Sequence, residues 1–98
     1  MIETLGLQKI ASYLDDLIVS ATYTVDGVKK PAELRRSIVE GTTVKKHIYL
    51  NDLEGNGRLT QFELIDKNSD VFARKIDDKT KTSEKGLLLA FEFEVKEV

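Results

Sequence analysis

Apolar and polar residues alternate most regularly over Gly86-Leu87-Leu88-Leu89-Ala90-Phe91-Glu92-Phe93-Glu94-Val95-Lys96, where Leu87, Leu89, Phe91, Phe93 and Val95 take every second position. Glu92, Glu94 and Lys96 fill the places between. A period of two belongs to a strand with one face on a core. Leu88 and Ala90 make the second face apolar at its start, so that end of the sheet needs a cover, which the N-terminal helix is expected to supply.

That helix is read from a different period. Between Leu5 and Leu17, and on to Ile18, the residues Ile10, Tyr13, Leu14, Leu17 and Ile18 recur at steps of three and four, with Thr4 placed to act as N-cap. Asp15 and Asp16 sit where a helix C-terminus disfavours negative charge, and the β-branched run Ile18 to Val25 follows, so helix is expected to give way to strand near Leu17. Asp26-Gly27, between Val25 and Val28, is a hairpin signal, because both central positions of a type I′ turn need positive φ. A short return strand then runs to Pro31.

Residues 32–40 admit two readings. Pro31 at N1, Leu34 and Ile38 four apart and a Gly41 C-cap would make a short helix. Pairing of Leu34–Glu40 with Thr43–Leu50 through Gly41-Thr42 would make a hairpin, and this is preferred because the partner strand is strongly β in character. Further strands are predicted over Arg58–Asp66 and Val71–Ile76, separated by the polar turns 51–56 and 67–70. The polar stretch Asp77 to Lys85 reads as a long loop, mobile or a contact surface.

Composition narrows the chemistry. At 98 residues the chain reads as a single domain spanning 1–98, with no cysteine and one histidine, His47. Disulfides and thiolate sites are excluded, and a zinc site would have to be built almost wholly from carboxylates. His47 shares a strand face with Lys45 and Tyr49, opposite Val44, Ile48 and Leu50, which marks a surface histidine rather than a catalytic base. Fifteen basic and 17 acidic residues give a formal net charge of -2, so no global field favours nucleic acid. The basic residues Lys29, Lys30, Arg35, Arg36, Lys45 and Lys46 are expected to pair across strands with acidic ones such as Glu92 and Glu94. Asp15-Asp16 and Asp77-Asp78 read as solvated carboxylates. No apolar run approaches the roughly 20 residues that span a bilayer, and Glu3 stands where a secretory signal would be basic. A soluble, unexported protein without membrane attachment is expected.

One stretch carries candidate metal chemistry. Asp52-Leu53-Glu54-Gly55-Asn56-Gly57-Arg58-Leu59-Thr60-Gln61-Phe62-Glu63 places oxygen side chains at loop positions one, three, five, nine and twelve of an EF-hand calcium loop, with glycine at six. Asp52, Glu54, Asn56, the Arg58 carbonyl, Thr60 and Glu63 would then be the ligands. The flanks argue otherwise: Asn51 precedes the loop, the upstream segment reads as β, and Asn68-Ser69-Asp70 would interrupt an exiting helix. The preferred reading is a hairpin turn with no metal, no cofactor and no catalytic residue. In that reading Phe62 and Leu64 share one face, with Leu59, Gln61, Glu63 and Ile65 on the other.

Four stretches carry a resemblance: Leu5-Gly6-Leu7-Gln8-Lys9-Ile10-Ala11, Gly57 to Asp66, Val71-Phe72-Ala73-Arg74, and Gly86 to Phe93. In their order along the chain they resemble small tail-module proteins of bacteriophages and prophages of Gram-positive bacteria, which are similar to the N-terminal regions of tail-fibre and tail-collar proteins. The resemblance implies a non-enzymatic structural or protein-interaction module, found in the virion or in the host cytoplasm. Its partners would be other tail or baseplate proteins, or further copies of itself. The fold expected from the pattern is α+β and mainly β, an N-terminal amphipathic helix on an antiparallel sheet or small sandwich of about five to seven strands.

Overall fold

The computed structural model describes residues 2–52 and 54–96. A single helix, α1 (Thr4–Leu17), leads without a loop into β1 (Ile18–Val25), followed by β2 (Val28–Glu40), β3 (Thr43–Leu50), β4 (Gly57–Asp66), β5 (Val71–Lys81) and β6 (Leu87–Glu94). The six strands form one antiparallel sheet in the order β5-β4-β1-β2-β3-β6. The sheet curls until its two outer strands approach each other, so the α+β fold is nearly a barrel. Phe72 of β5 meets Phe93 of β6 edge to face at 5.9 Å, and Lys75 Nζ donates to the Ala90 carbonyl at 3.3 Å. No backbone ladder among the described residues joins β5 to β6.

The strand that makes the curl possible is β2. It pairs with β1 over Val28–Ala32 and with β3 over Glu33–Glu40, so residues 32–40 are strand, and the expected return strand and hairpin arm are one continuous element. Pro31, which has no N–H to give, lies just before the ladder to β3 begins. Asp26 and Gly27 have φ of 49° and 80°, as a type I′ hairpin requires. Gly41 alone is positive in the next hairpin, at 59°, which fits a type II′ turn.

Bulges decide which side chains are inside. An extra residue, Val19, lets both Ile18 and Ala21 face inward, and Thr60 does the same for Leu59 and Phe62 on β4. Leu59 therefore joins Phe62 and Leu64 in the core rather than lying on the face of Gln61 and Glu63, where strict alternation had put it. The core is Ile18, Ala21, Tyr23, Val25, Ile48, Leu50, Leu59, Phe62, Leu64, Leu89 and Phe91.

Further expectations are corrected. The terminal strand β6 is inward-facing through Leu89 and Phe91, but it is an outer strand of the sheet, and Leu88 on its other face is 58% exposed. The helix packs on β1, β2 and β3 instead of covering β6. It buries Ala11 and half-buries Leu7 and Leu14, leaving Ile10 and Tyr13 exposed, because the direct passage from Leu17 into β1 fixes which side of the helix meets the sheet. Its N-cap is Glu3, with no side-chain cap, rather than Thr4. Finally, strand β5 continues to Lys81, so only 82–86 remain outside regular strand where a loop from Asp77 to Lys85 was expected. Asp78 and Lys79 are held there by pairing with β4.

Candidate functional site

Each member of the possible calcium loop has a place in the fold. Asp52 is exposed, and its carbonyl accepts the Asn56 side-chain N–H at 3.1 Å. Glu54 turns its Oε1 toward the Asn51 N–H at 3.3 Å. Asn56 Oδ1 accepts from Lys81 Nζ at 2.8 Å. The Arg58 carbonyl accepts the Asp26 N–H at 2.9 Å, and Thr60 is the bulged residue of β4. Glu63 lies further along β4, on the outer face of the sheet, with its carboxylate committed to neighbouring strands. Among the described residues no three His, Cys, Asp or Glu side chains gather as a metal-binding group.

The glycines of this stretch answer to packing. Gly55 is buried at φ 68°, and a Cβ there would run into Leu50, Leu59 and Tyr23. Gly57, at φ 134°, lets the Asp26 carboxylate come against the backbone, where Asp26 Oδ1 accepts the Arg58 N–H at 3.0 Å. The turn that resembles an ion loop is thus shaped by a close approach of two hairpin ends. Burial, followed by the charge of Glu54, raises the Tyr23 phenol pKa above its usual value, and a backbone hydrogen bond from Gly55 opposes them.

Among the described residues three charged side chains are buried. Glu63, 1% exposed, receives Thr22 Oγ1 at 3.1 Å and Lys29 Nζ at 2.7 Å on Oε1, with Arg74 Nη2 at 2.9 Å on Oε2. Lys29, more than any other neighbour, draws its pKa down to about 2, helped by Arg74 and Thr22 against the opposing effect of burial. Lys46, 2% exposed, points under α1, where its ammonium meets Asp15 Oδ1 at 2.6 Å, the Asp15 carbonyl at 2.9 Å and Ser37 Oγ at 2.8 Å. Asp15 is thus an ion-pair partner rather than a solvated carboxylate. Lys81 is the third, 7% exposed, and its contact is the Asn56 amide oxygen. Alternation along β3 already puts Lys46 on the face of Val44 and Ile48, so its burial had a signal; Glu63 and Lys81 needed the register.

On the outer surface, Arg58 and Asp78 form a two-point pair with both distances 2.8 Å, which holds the Asp78 pKa below its usual range. Lys79 and a hydrogen bond from the Asp78 N–H do the same for Asp77, the latter more strongly. Lys45 stands opposite Glu92 across β3 and β6, the register expected for opposite charges. His47 is half-buried beside Lys45 and Tyr49 on β3, as alternation places it, and a bulge at Arg35 lays that guanidinium over the Tyr49 ring at 4.2 Å. No helix among the described residues is long and apolar enough to cross a membrane.

Comparison with models of protein families, with curated proteins and with solved structures found no match to this chain.

Proposed function

We propose that the protein is a non-enzymatic structural or protein-interaction module of a phage or prophage tail or baseplate, acting in the virion or, before assembly, in the host cytoplasm. The observation that supports this most is the incomplete closure of the barrel at β5. One edge of that strand is paired with β4, and the other meets β6 with no backbone ladder among the described residues, through the Phe72–Phe93 contact and the Lys75 side chain on the Ala90 carbonyl. Open strand edges are templates for pairing with another chain, and natural proteins that keep them monomeric blunt them with charge or proline. β5 carries such charges, Arg74, Lys75, Asp77, Asp78 and Lys79 among them, yet between them it also exposes Val71 and Ile76, the latter at 78%. The buried ionisable groups Glu63 and Lys46 are tied to structural partners, as in a scaffold. A second copy or a neighbouring tail subunit is the partner of choice, because tail assemblies are symmetric and built from repeated contacts.

Sedimentation over a wide concentration range tests this directly. Association by the wild type that is lost in Ile76→Lys is the expected result. A strict monomer at the highest concentration, recovered with no tail protein when expressed alongside its neighbouring genes, would remove the proposal.

A further inference from the structure

We propose that the end of the barrel opposite α1 holds a binding site for a small oxyanion, a phosphate or carboxylate group, centred on the buried ammonium of Lys81. The helix closes the end marked by Ile18 and Lys46; the far end is marked by Val25, Leu50, Gly57 and Leu87. There, where β5 finishes and β6 begins, lies a cavity of about 150 Å³ lined by Lys79, Lys81, Lys85 and Thr82 over an apolar base of Leu59 and Leu87. Such a volume has room for about five waters, or for one tetrahedral oxyanion with part of its carrier.

The charge balance points to an anion. Of the three charged side chains buried among the described residues, Glu63 faces two cations and Lys46 faces Asp15, whereas the hydrogen bond of Lys81 among those residues goes to the neutral oxygen of Asn56. A buried ammonium without a counter-charge is costly, and an anion entering the cavity supplies the missing partner. Lys85 adds positive charge on the same rim, beside the ion-paired Lys79. Asp77, on the same strand face, lies 3.2 Å from Lys79 and offsets the charge of that lysine rather than of Lys81, and Glu84 is exposed and does not line the cavity. Lys79 and Lys81 share one strand face because they are two residues apart on β5, and the tight loop 82–86, with the Lys85 N–H donating to the Thr82 carbonyl at 3.4 Å, brings Lys85 round to meet them. This site lies at the end of β5, past Val71, Phe72 and Ile76, and does not depend on self-association.

The test is amide chemical-shift titration with inorganic phosphate, and separately with acetate, at constant ionic strength maintained by chloride. Saturable shifts confined to residues 79–87 are expected. Saturation by phosphate alone identifies a phosphate-bearing ligand, and saturation by acetate alone a carboxylate, free or on a polypeptide. Lys85→Gln should weaken binding about tenfold, the loss of one charge-assisted hydrogen bond. Lys81→Met should abolish it, and in chloride buffer without phosphate or acetate this variant should melt above the wild type, since it replaces an uncompensated charge with an apolar side chain. Linear drift matched by chloride, or shifts unchanged in both variants, would overturn the site. So would a Lys81→Met protein that melts below the wild type and still responds to phosphate.

Discussion

The ammonium of Lys46 lies 2.6 Å from Asp15 Oδ1, joining the last turn of the helix to the inward face of β3 across 31 residues of chain. The same ammonium takes the Asp15 carbonyl, one of the groups a helix C-terminus leaves without an intrahelical partner. The contact therefore fastens α1 over its end of the barrel and supplies the positive charge that the last turn of the helix otherwise lacks.

The two halves of that pair should not cost the same to remove. Asp15→Asn leaves a buried lysine without its counter-charge and is expected to destabilise by about 3 to 5 kcal/mol. Lys46→Met removes the buried charge and keeps most of the packing; Asp15 Oδ1 is itself buried, but the side chain is 23% exposed and can turn toward water. Its cost should be the smaller of the two, and urea unfolding of both variants measures the difference. Equal losses would mean that the lysine left without its counter-charge carries no added cost.

Acid should act through Glu63. Its folded pKa, about 2, lies below the ordinary carboxylate value, so its ion pairs contribute fully above about pH 4.5 and are lost as pH falls toward 2. Wild-type stability should decline across that window. In Glu63→Gln the decline should be shallower, because the group that takes up the proton is gone. Unfolding midpoints at pH 6, 4 and 2.5 would show it; parallel declines in the two proteins would assign acid sensitivity to other carboxylates.

Gly57→Ala should destabilise by about 1 to 3 kcal/mol, from positive φ and from displacement of the Asp26 carboxylate. Since both changes break the same contact, Gly57→Ala and Asp26→Ala should combine to less than the sum of their separate effects. A double-mutant cycle by thermal or urea unfolding tests the coupling. Strict additivity would show that Asp26 does not hold the Arg58 N–H in solution.

Millimolar Ca²⁺ should produce weak, unsaturated amide shifts at residues 52–56 and none at Glu63, whose oxygens are taken by Thr22, Lys29 and Arg74. A saturable site that disappears in Glu63→Gln would require β4 to leave its pairing with β1. It would make residues 52–63 an ion loop after all.

The sequence alone determined the features whose causes lie within a few residues. Helix passes to strand at Leu17 because the period of the apolar residues changes there, and Asp26-Gly27 specifies its turn because its backbone angles demand those residue types. The inward set of β6 was legible for the same reason. The tertiary structure decided everything that depends on register. The bulges at Val19 and Thr60 shift which residues face the core, and they exist because β1 and β4 must both curve and pair along the same length. Continuity of β2 past Pro31 and of β5 to Lys81 comes from neighbouring strands that offer hydrogen bonds, which no local pattern records. The meetings of Asp15 with Lys46 and of Glu63 with Lys29 and Arg74 belong to the same class. A charge declares its residue type in the sequence, but its burial and its partner are set only when distant strands are brought side by side.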